Sequence, residues 1–230
     1  MIVVAGGSGL LGRRVVADLV AAGELVRVLV RDTSRARDMS SDSVEIVSAD
    51  VRKREGLSEA VLGAAVVVSA VHGFLGGRGA GPAEVDERGN MNLIDAAVRA
   101  GADVILVSVS GAAPGHPVDL FRAKYAAEQY LRHSGLDWSV VRAPAYLETW
   151  LGILTKTAGD SGRPLIFGRG DRPIPFVSAG DVADVVCAAV RDRSARGMLL
   201  EVTGEPITMM ELAHALQAAR GWRGEPRHVP

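Results

Sequence analysis

Apolar residues fall into two periods along this chain. Short apolar-rich runs at residues 1–5, 25–30, 44–47, 65–68, 104–107 and 139–142 read as strands, with 25–30 as a strand buried on both faces. Helical spacing fills the gaps between them. Leu11, Val15 and Leu19, with Val16 and Val20, mark one helix that closes at Gly23. Others are predicted over 57–62, over 84–99 with a stop at Gly101, and over 119–133 ending near Gly135. Thr33 or Ser34 is the expected cap of a short basic helix containing Arg35 and Arg37. This alternation predicts an α/β fold built on a doubly wound parallel sheet.

From Tyr146 the pattern changes. Helices are predicted over 147–156, 181–191 and 209–219, the last capped by Thr208, and a strand over 199–202. Residues 162–175 are rich in Gly, Pro and Arg, and 227–230 show no closing element. Residues 1–145 are therefore expected to form the core. Residues 146–230 are expected to form a small C-terminal lobe packed over the carboxyl ends of the strands, within one structural domain. Five glycines between Val71 and Pro82 predict a mobile loop there.

The chemistry begins where the first run meets its helix. Gly6, Gly7, Ser8, Gly9, Leu10, Leu11 and Gly12 satisfy both Gly-x-Gly-x-x-Gly and Gly-x-x-Gly-x-x-Gly. A strand must turn sharply, its backbone must approach a pyrophosphate, and a helix must pack closely, and glycine serves each need. The helix then directs free N–H groups and its positive end at the phosphates. This context predicts a Rossmann-type dinucleotide site. The residue ending the second run selects the cofactor. It is Arg31, 19 positions after Gly12, which suits a 2′-phosphate, and Arg35 and Arg37 add charge. NADP(H) is preferred. Asp32, acidic and adjacent, keeps NAD(H) as the alternative. Asp50 and Val51 end the third run, where a carboxylate accepts from an adenine amino group or caps the next helix.

Composition narrows the picture. The chain has 230 residues, 48% hydrophobic and 23% charged, with a formal net charge of −1, so neither nucleic acid nor membrane is an expected partner. The single cysteine, Cys187, lies in an apolar run and reads as a core residue. No metal site is expected. The start shows no secretory signal, and the most apolar window, 61–75, is too short to span a membrane, so a cytoplasmic protein is expected.

The glycine signature, Arg31, Asp50-Val51 and the pattern Lys124-x-x-x-Glu128, Ser134-Gly135-Leu136 and Arg142-x-Pro144 resemble the atypical short-chain dehydrogenase/reductases. Within these the chain is similar to the NmrA-like group, which includes NADPH-dependent quinone reductases and redox-sensing regulators. The resemblance implies that the glycine turn holds the pyrophosphate and Arg31 the 2′-phosphate. It implies that Ser69, Ala70 and Val71 line the ribose, that Lys124 reaches the nicotinamide ribose, and that Pro144, Ala145 and Tyr146 flank the nicotinamide. Lys124 is the one catalytic candidate; a surface ion pair with Glu128 is the plainer alternative. Catalytic members carry Tyr four residues before that Lys, and here the position is Leu120. Ser108 and Ser110, near the usual catalytic serine, then lack their partner. A Tyr-Lys carbonyl reductase is therefore not expected. An oxidoreductase passing hydride to a quinone-like or other conjugated acceptor is, as a monomer or homodimer, with His72, His116, Tyr125 and Tyr146 as local donors. A non-catalytic NAD(P)(H) sensor acting through a protein partner is the alternative.

Overall fold

A computed structural model describes residues 1–74 and 76–229. Leu75, in the glycine-rich loop, and Pro230, at the chain end, lie outside the described residues. The elements run β1 (Ile2–Ala5), α1 (Leu10–Ala21), β2 (Val26–Val30), a 3-10 turn (Thr33–Met39), β3 (Val44–Ser48), α2 (Leu57–Ala60) and β4 (Val66–Ser69). A π-helical segment (Ala83–Gly89) leads into α3 (Asn90–Ala100), followed by β5 (Asp103–Val109), α4 (Asp119–Arg132), β6 (Trp138–Ala143), β7 (Ala145–Tyr146) and α5 (Leu147–Ala158). Then come β8 (Leu165–Phe167), β9 (Pro173–Val177), α6 (Ala179–Arg191), β10 (Met198–Glu201), β11 (Glu205–Thr208), α7 (Met209–Arg220) and β12 (Arg227–Val229).

Two compact units result: residues 1–142 with 180–201, and residues 143–179 with 202–230. The first unit holds a seven-stranded parallel sheet in the order β10-β6-β5-β4-β1-β2-β3. Strand order reverses between β1 and β4, so the carboxyl ends of these two strands form the crevice where such sheets take ligands. Val3, Val67, Val104, Leu106, Leu93, Ile94 and Leu131 are buried together in its core. Helix α1 turns Val15, Val16 and Leu19 inward and ends at Ala22, with Gly23 at φ +85. The division differs from a cut at 145/146, because residues 180–201 return to the sheet. There β10 pairs with β6, the Ser139 hydroxyl donates to Ala195 O at 2.7 Å, and Arg196 pairs with Asp103 at 2.7 Å.

The second unit contains a three-stranded sheet, β11-β9-β7, and the parallel pair β12-β8. Leu154, Ile166, Phe176, Leu212 and Leu216 form its core, with Leu147, Trp150 and Leu151 against it. These side chains are structural core. Thr208 caps α7 through a reciprocal box with Glu211.

Several local expectations change. Strand β8 and the start of β9 form within 162–175, and β12 closes the chain where no element is expected. Their apolar runs are too short to signal a strand until paired. The cap of the basic turn is Asp32, whose Oδ1 accepts from Ser34 N at 2.9 Å, rather than Thr33 or Ser34. The pattern predicts one α-helix over 84–99, but its first part is π-helical. The wider turn brings Gly89 so near Val51 that a Cβ there would lie 2.8 Å from Val51 Cγ2. The described residues among 71–82 form no strand, and they are anchored by Arg52 Nη1 donating to Gly79 O at 2.8 Å and by Gly73 N donating to Asp86 Oδ2 at 2.7 Å.

Candidate cofactor site

The glycine turn lies between β1 and α1. Gly6 takes φ +81, and a Cβ there would lie 2.8 Å from Ala70 O at the end of β4. A Cβ on Gly7 would strike Val28 Cγ1 at 2.6 Å, and one on Gly12 would strike Gly6 O at 2.2 Å. Gly9 differs, since a Cβ there would meet only Gly6 O, at 3.2 Å. Gly6 therefore makes the turn, Gly7 and Gly12 pack it against β2 and α1, and Gly9 leaves an open face. Both glycine spacings are in use. Gly9 is the N-cap of α1, with no side-chain cap bond and no acidic residue in the first turn. Among the described residues no side chain caps the N–H groups that open α1, at Leu10 and Leu11, and an anion beside them gains about 0.3–1 kcal/mol. Ser8 contributes its carbonyl to Arg13 Nε at 3.3 Å. These residues fit a pyrophosphate.

At the end of β2, Arg31 is exposed and has no hydrogen-bond or ion-pair partner among the described residues. Arg35 is also exposed, and Arg13 Nη2 donates to its carbonyl. Arg13, which the sequence pattern does not single out, also pairs with Asp38 at 2.7 Å and so ties the basic turn to α1. The Asp32 carboxylate is held below its usual range by the Ser34 hydroxyl and N–H. At the end of β3, Asp50 accepts from Arg52 N at 3.0 Å and is forked by the Arg52 guanidinium, which lowers its pKa, with the Arg31 charge adding to the effect. It closes a turn rather than capping α2, whose N-cap is Gly56. Val51 is buried and its carbonyl accepts from Asn92 Nδ2 at 2.9 Å.

A buried polar network lies at the ends of β4 and β5. Ser69 donates to Asn90 Oδ1 at 2.5 Å, and Asn90 Nδ2 to Asp86 O at 2.7 Å. Ala70 N donates to Ala5 O at 2.9 Å, which carries β4 up to the glycine turn. Lys124, on α4, is buried and donates to Val71 O at 2.9 Å and Val107 O at 3.0 Å. Its ammonium faces Asp86 Oδ1 at 3.0 Å, a charge contact without hydrogen-bond alignment, while Asp86 Oδ2 accepts from Gly73 N at 2.7 Å. Glu128 is fully buried. It takes the Ser108 hydroxyl and a fork from Arg142, Nε–Oε1 2.9 Å and Nη2–Oε2 2.7 Å. Lys124 and Glu128 are thus not a surface pair. Each is buried against a different partner, because the i and i+4 side chains lie one turn apart on the inward face.

Leu120 stands where the acid would be, and the Ser108 proton is committed to Glu128. The Ser110 Oγ is buried with no hydrogen-bond partner among the described residues. His72 keeps surface access, but the surrounding protein and then the Lys124 ammonium hold its imidazole below the usual range, with Asp86 opposing. His116 stacks on Phe121 at 4.0 Å, and its Nδ1 accepts from Val118 N at 3.1 Å. In the second unit, Ala145 and Tyr146 lie on β7, just after Pro144. The Tyr146 hydroxyl is buried with no hydrogen-bond partner among the described residues, and burial raises its pKa.

Residues 6–193 match the NAD(P)H-binding family. The chain belongs to that family. An NAD(P)H azoreductase from Xenophilus azovorans is 30% identical over 225 residues, 96% of this chain and 74% of that protein. The photosystem II assembly factor Ycf39 from Synechocystis is 28% identical over 82% of this chain, which spans only 58% of the length of that relative. The structure of an NADPH-dependent quinone oxidoreductase from Escherichia coli, solved with NADPH, superposes with a TM-score of 0.80 at 21% identity, over 100% of this chain and 78% of the other. A UDP-glucose 4-epimerase from Thermotoga maritima gives a TM-score of 0.81 at 20% identity, over 100% of this chain and 85% of that one. These two likenesses show the fold. The chain is an atypical short-chain dehydrogenase/reductase.

In this chain of the NAD(P)H-binding family, the sequence pattern marks the glycines, Arg31 and Lys124 as candidates, but not Asp86, Asn90 or Arg52. Asp86 and Asn90 lie at i and i+4 in a polar-looking helix start, and no spacing marks them as buried. Among the described residues no group of three or more His, Cys, Asp or Glu could hold a metal, and no helix is long and apolar enough to cross a membrane.

Proposed function

We propose that this chain is an NADP(H)-preferring reductase of a quinone-like or other conjugated, aromatic acceptor. The carrying observation is an open glycine cradle beside a site that lacks the Tyr-Lys acid: Leu120 stands in the tyrosine's place, and Ser108 is bonded to Glu128. Bound NAD(P)H supplies a hydride. An acceptor whose reduced oxyanion is intrinsically stable needs no buried acid, because solvent delivers the proton. The chain orients both reactants: the turn at Gly6–Gly12 grips the pyrophosphate, and Lys124 presents its ammonium to the nicotinamide ribose. Pro144, Ala145 and Tyr146 flank the nicotinamide in this reading.

NADP(H) preference rests on Arg31, exposed at the end of β2, and on Asp32, whose carboxylate is engaged as a cap and so less free to hold a ribose hydroxyl. NAD(H) is the alternative. The similarity to an azoreductase and to a quinone oxidoreductase supports acceptors of this class. Stopped-flow mixing of the protein and NADPH with a panel of quinones and azo dyes tests the reading. NADPH oxidation above the uncatalysed rate is expected with at least one, and none across the panel refutes it. A second reading, a redox sensor acting through a protein partner, is favoured by the similarity to an assembly factor. It requires different affinities for oxidised and reduced cofactor, because equal affinities shift no equilibrium.

A further inference from the structure

The Asp86 carboxylate is inaccessible to solvent and sits on the π-helical segment, far in sequence from Lys124. Its two oxygens do different things. Oδ2 accepts from Gly73 N at 2.7 Å, and Oδ1 faces the Lys124 ammonium at 3.0 Å. Lys124 in turn holds Val71 O and Val107 O, the outgoing ends of β4 and β5. One residue before Val71, the carbonyl of Ala70 lies over Gly6, the turning residue of the cradle. A single carboxylate therefore sets both the ammonium and the backbone of Val71 to Gly73, at the rim of the cofactor site. Among the described residues the ammonium makes two aligned hydrogen bonds, both to the backbone carbonyls of Val71 and Val107.

Two observations speak against a purely structural pair. A buried ion pair is weak evidence for stability, since desolvation offsets its attraction. Here the geometry also leaves Asp86 Oδ1 without an aligned donor, so the pair is not arranged for its own best hydrogen bonding. The two carbonyls fix the direction of the ammonium, and Asp86 meets it as a charge rather than as an aligned acceptor. A π-helical turn, a form that recurs at functional sites, is what puts Asp86 there.

We propose that Asp86 is a positioning residue that aims the Lys124 ammonium, and the Val71–Gly73 backbone with it, at the nicotinamide-ribose half of the bound cofactor. Asp86 does not touch the cofactor itself. It acts through Lys124, so its removal weakens the nicotinamide half of the cofactor and leaves the adenosine half alone.

Calorimetric titration with two probes tests this, and both rest on the cofactor reading given above. NADPH carries both halves, and adenosine 2′,5′-bisphosphate carries only the adenosine half. In D86N the NADPH Kd is expected to rise about tenfold or more, the scale of one lost charge-assisted contact, while the bisphosphate Kd stays within about twofold. Unchanged NADPH binding, or equal weakening of both probes, overturns the proposal. If D86N does not fold, K124M and the double variant D86N/K124M carry the test. Both are expected to lose NADPH affinity equally, because Asp86 acts only through Lys124, and a further tenfold loss in the double variant overturns it. Wild-type protein that binds neither probe overturns the cofactor reading as well. Tight NADPH binding without turnover of any acceptor sinks only the reductase reading.

Discussion

Replacing Glu128 by glutamine keeps the shape of a fully buried side chain and removes its charge. Arg142 then loses the carboxylate it forks at 2.7 Å and 2.9 Å, and Ser108 loses a charged acceptor. Breaking a buried pair from one side costs about 3–5 kcal/mol, because the other charge stays in a poor solvent. The Arg142 side chain keeps 17% of its surface and donates to Ala112 O at 3.2 Å, so water and one carbonyl offset part of that loss. The expected destabilisation is therefore about 2–4 kcal/mol. For a chain of 230 residues this lowers the unfolding midpoint by roughly 5–15 °C, at about 2–4 °C per kcal/mol. Differential scanning calorimetry of E128Q measures it. The paired replacement E128L/R142M removes both charges and is expected to recover most of the loss, as apolar substitutes for a buried pair often do. A midpoint for E128Q within about 1 °C of wild type would mean that the network is no more than a surface-like ion pair worth about 0–1 kcal/mol, and the reasoning fails.

Arg31→Ala should weaken NADPH binding about 10- to 100-fold, the scale of a lost charge-assisted phosphate contact, with a much smaller change for NADH; equal changes in both titrations would remove Arg31 from the 2′-phosphate site. Gly12→Ala puts a methyl group 2.2 Å from Gly6 O, between two stretches of backbone, so α1 must move; cofactor binding should be lost and stability should fall by about 1–3 kcal/mol, and a variant with wild-type affinity in titration would contradict the packing role. Burial raises the Cys187 thiol from 9.0 to about 11. The unfolded thiol ionises first, so the unfolded state binds fewer protons between those values and stability falls as pH rises from about 9 towards about 11. That slope should shrink in Cys187→Ala when urea unfolding is compared at pH 8 and pH 10.5, and identical slopes would refute it.

Much of the first unit was legible in the sequence because its central strands are buried on both faces and its helices on one. Continuous apolar runs at 2–5 and 104–107 admit little else, and helical spacing at Leu11, Val15 and Leu19 fixes which side of α1 faces the sheet. The glycine turn was legible for a related reason. Its demands are local steric ones, met within seven residues, so Gly6, Gly9 and Gly12 announce their own geometry. The second unit was less so. Strands β8, β9, β11 and β12 are short and pair with partners far away in the chain, and a three-residue run carries no period.

The chemistry near Lys124 was decided by tertiary structure. By spacing, Lys124 and Glu128 form an i,i+4 pair. In the fold each turns to a buried partner that sequence distance conceals, Asp86 for one and Arg142 with Ser108 for the other. Charge pairing in a desolvated interior depends on which helices and strand ends meet, and only chain packing sets that. Asp32 shows the same limit on a smaller scale: its type suggested a ribose ligand, while a hydrogen bond to Ser34 N two residues away makes it a cap. Sequence alone could therefore mark a glycine turn and an arginine as the candidates to hold a dinucleotide. Which side chains stand behind that turn, and what each of them bonds, followed from the folded arrangement.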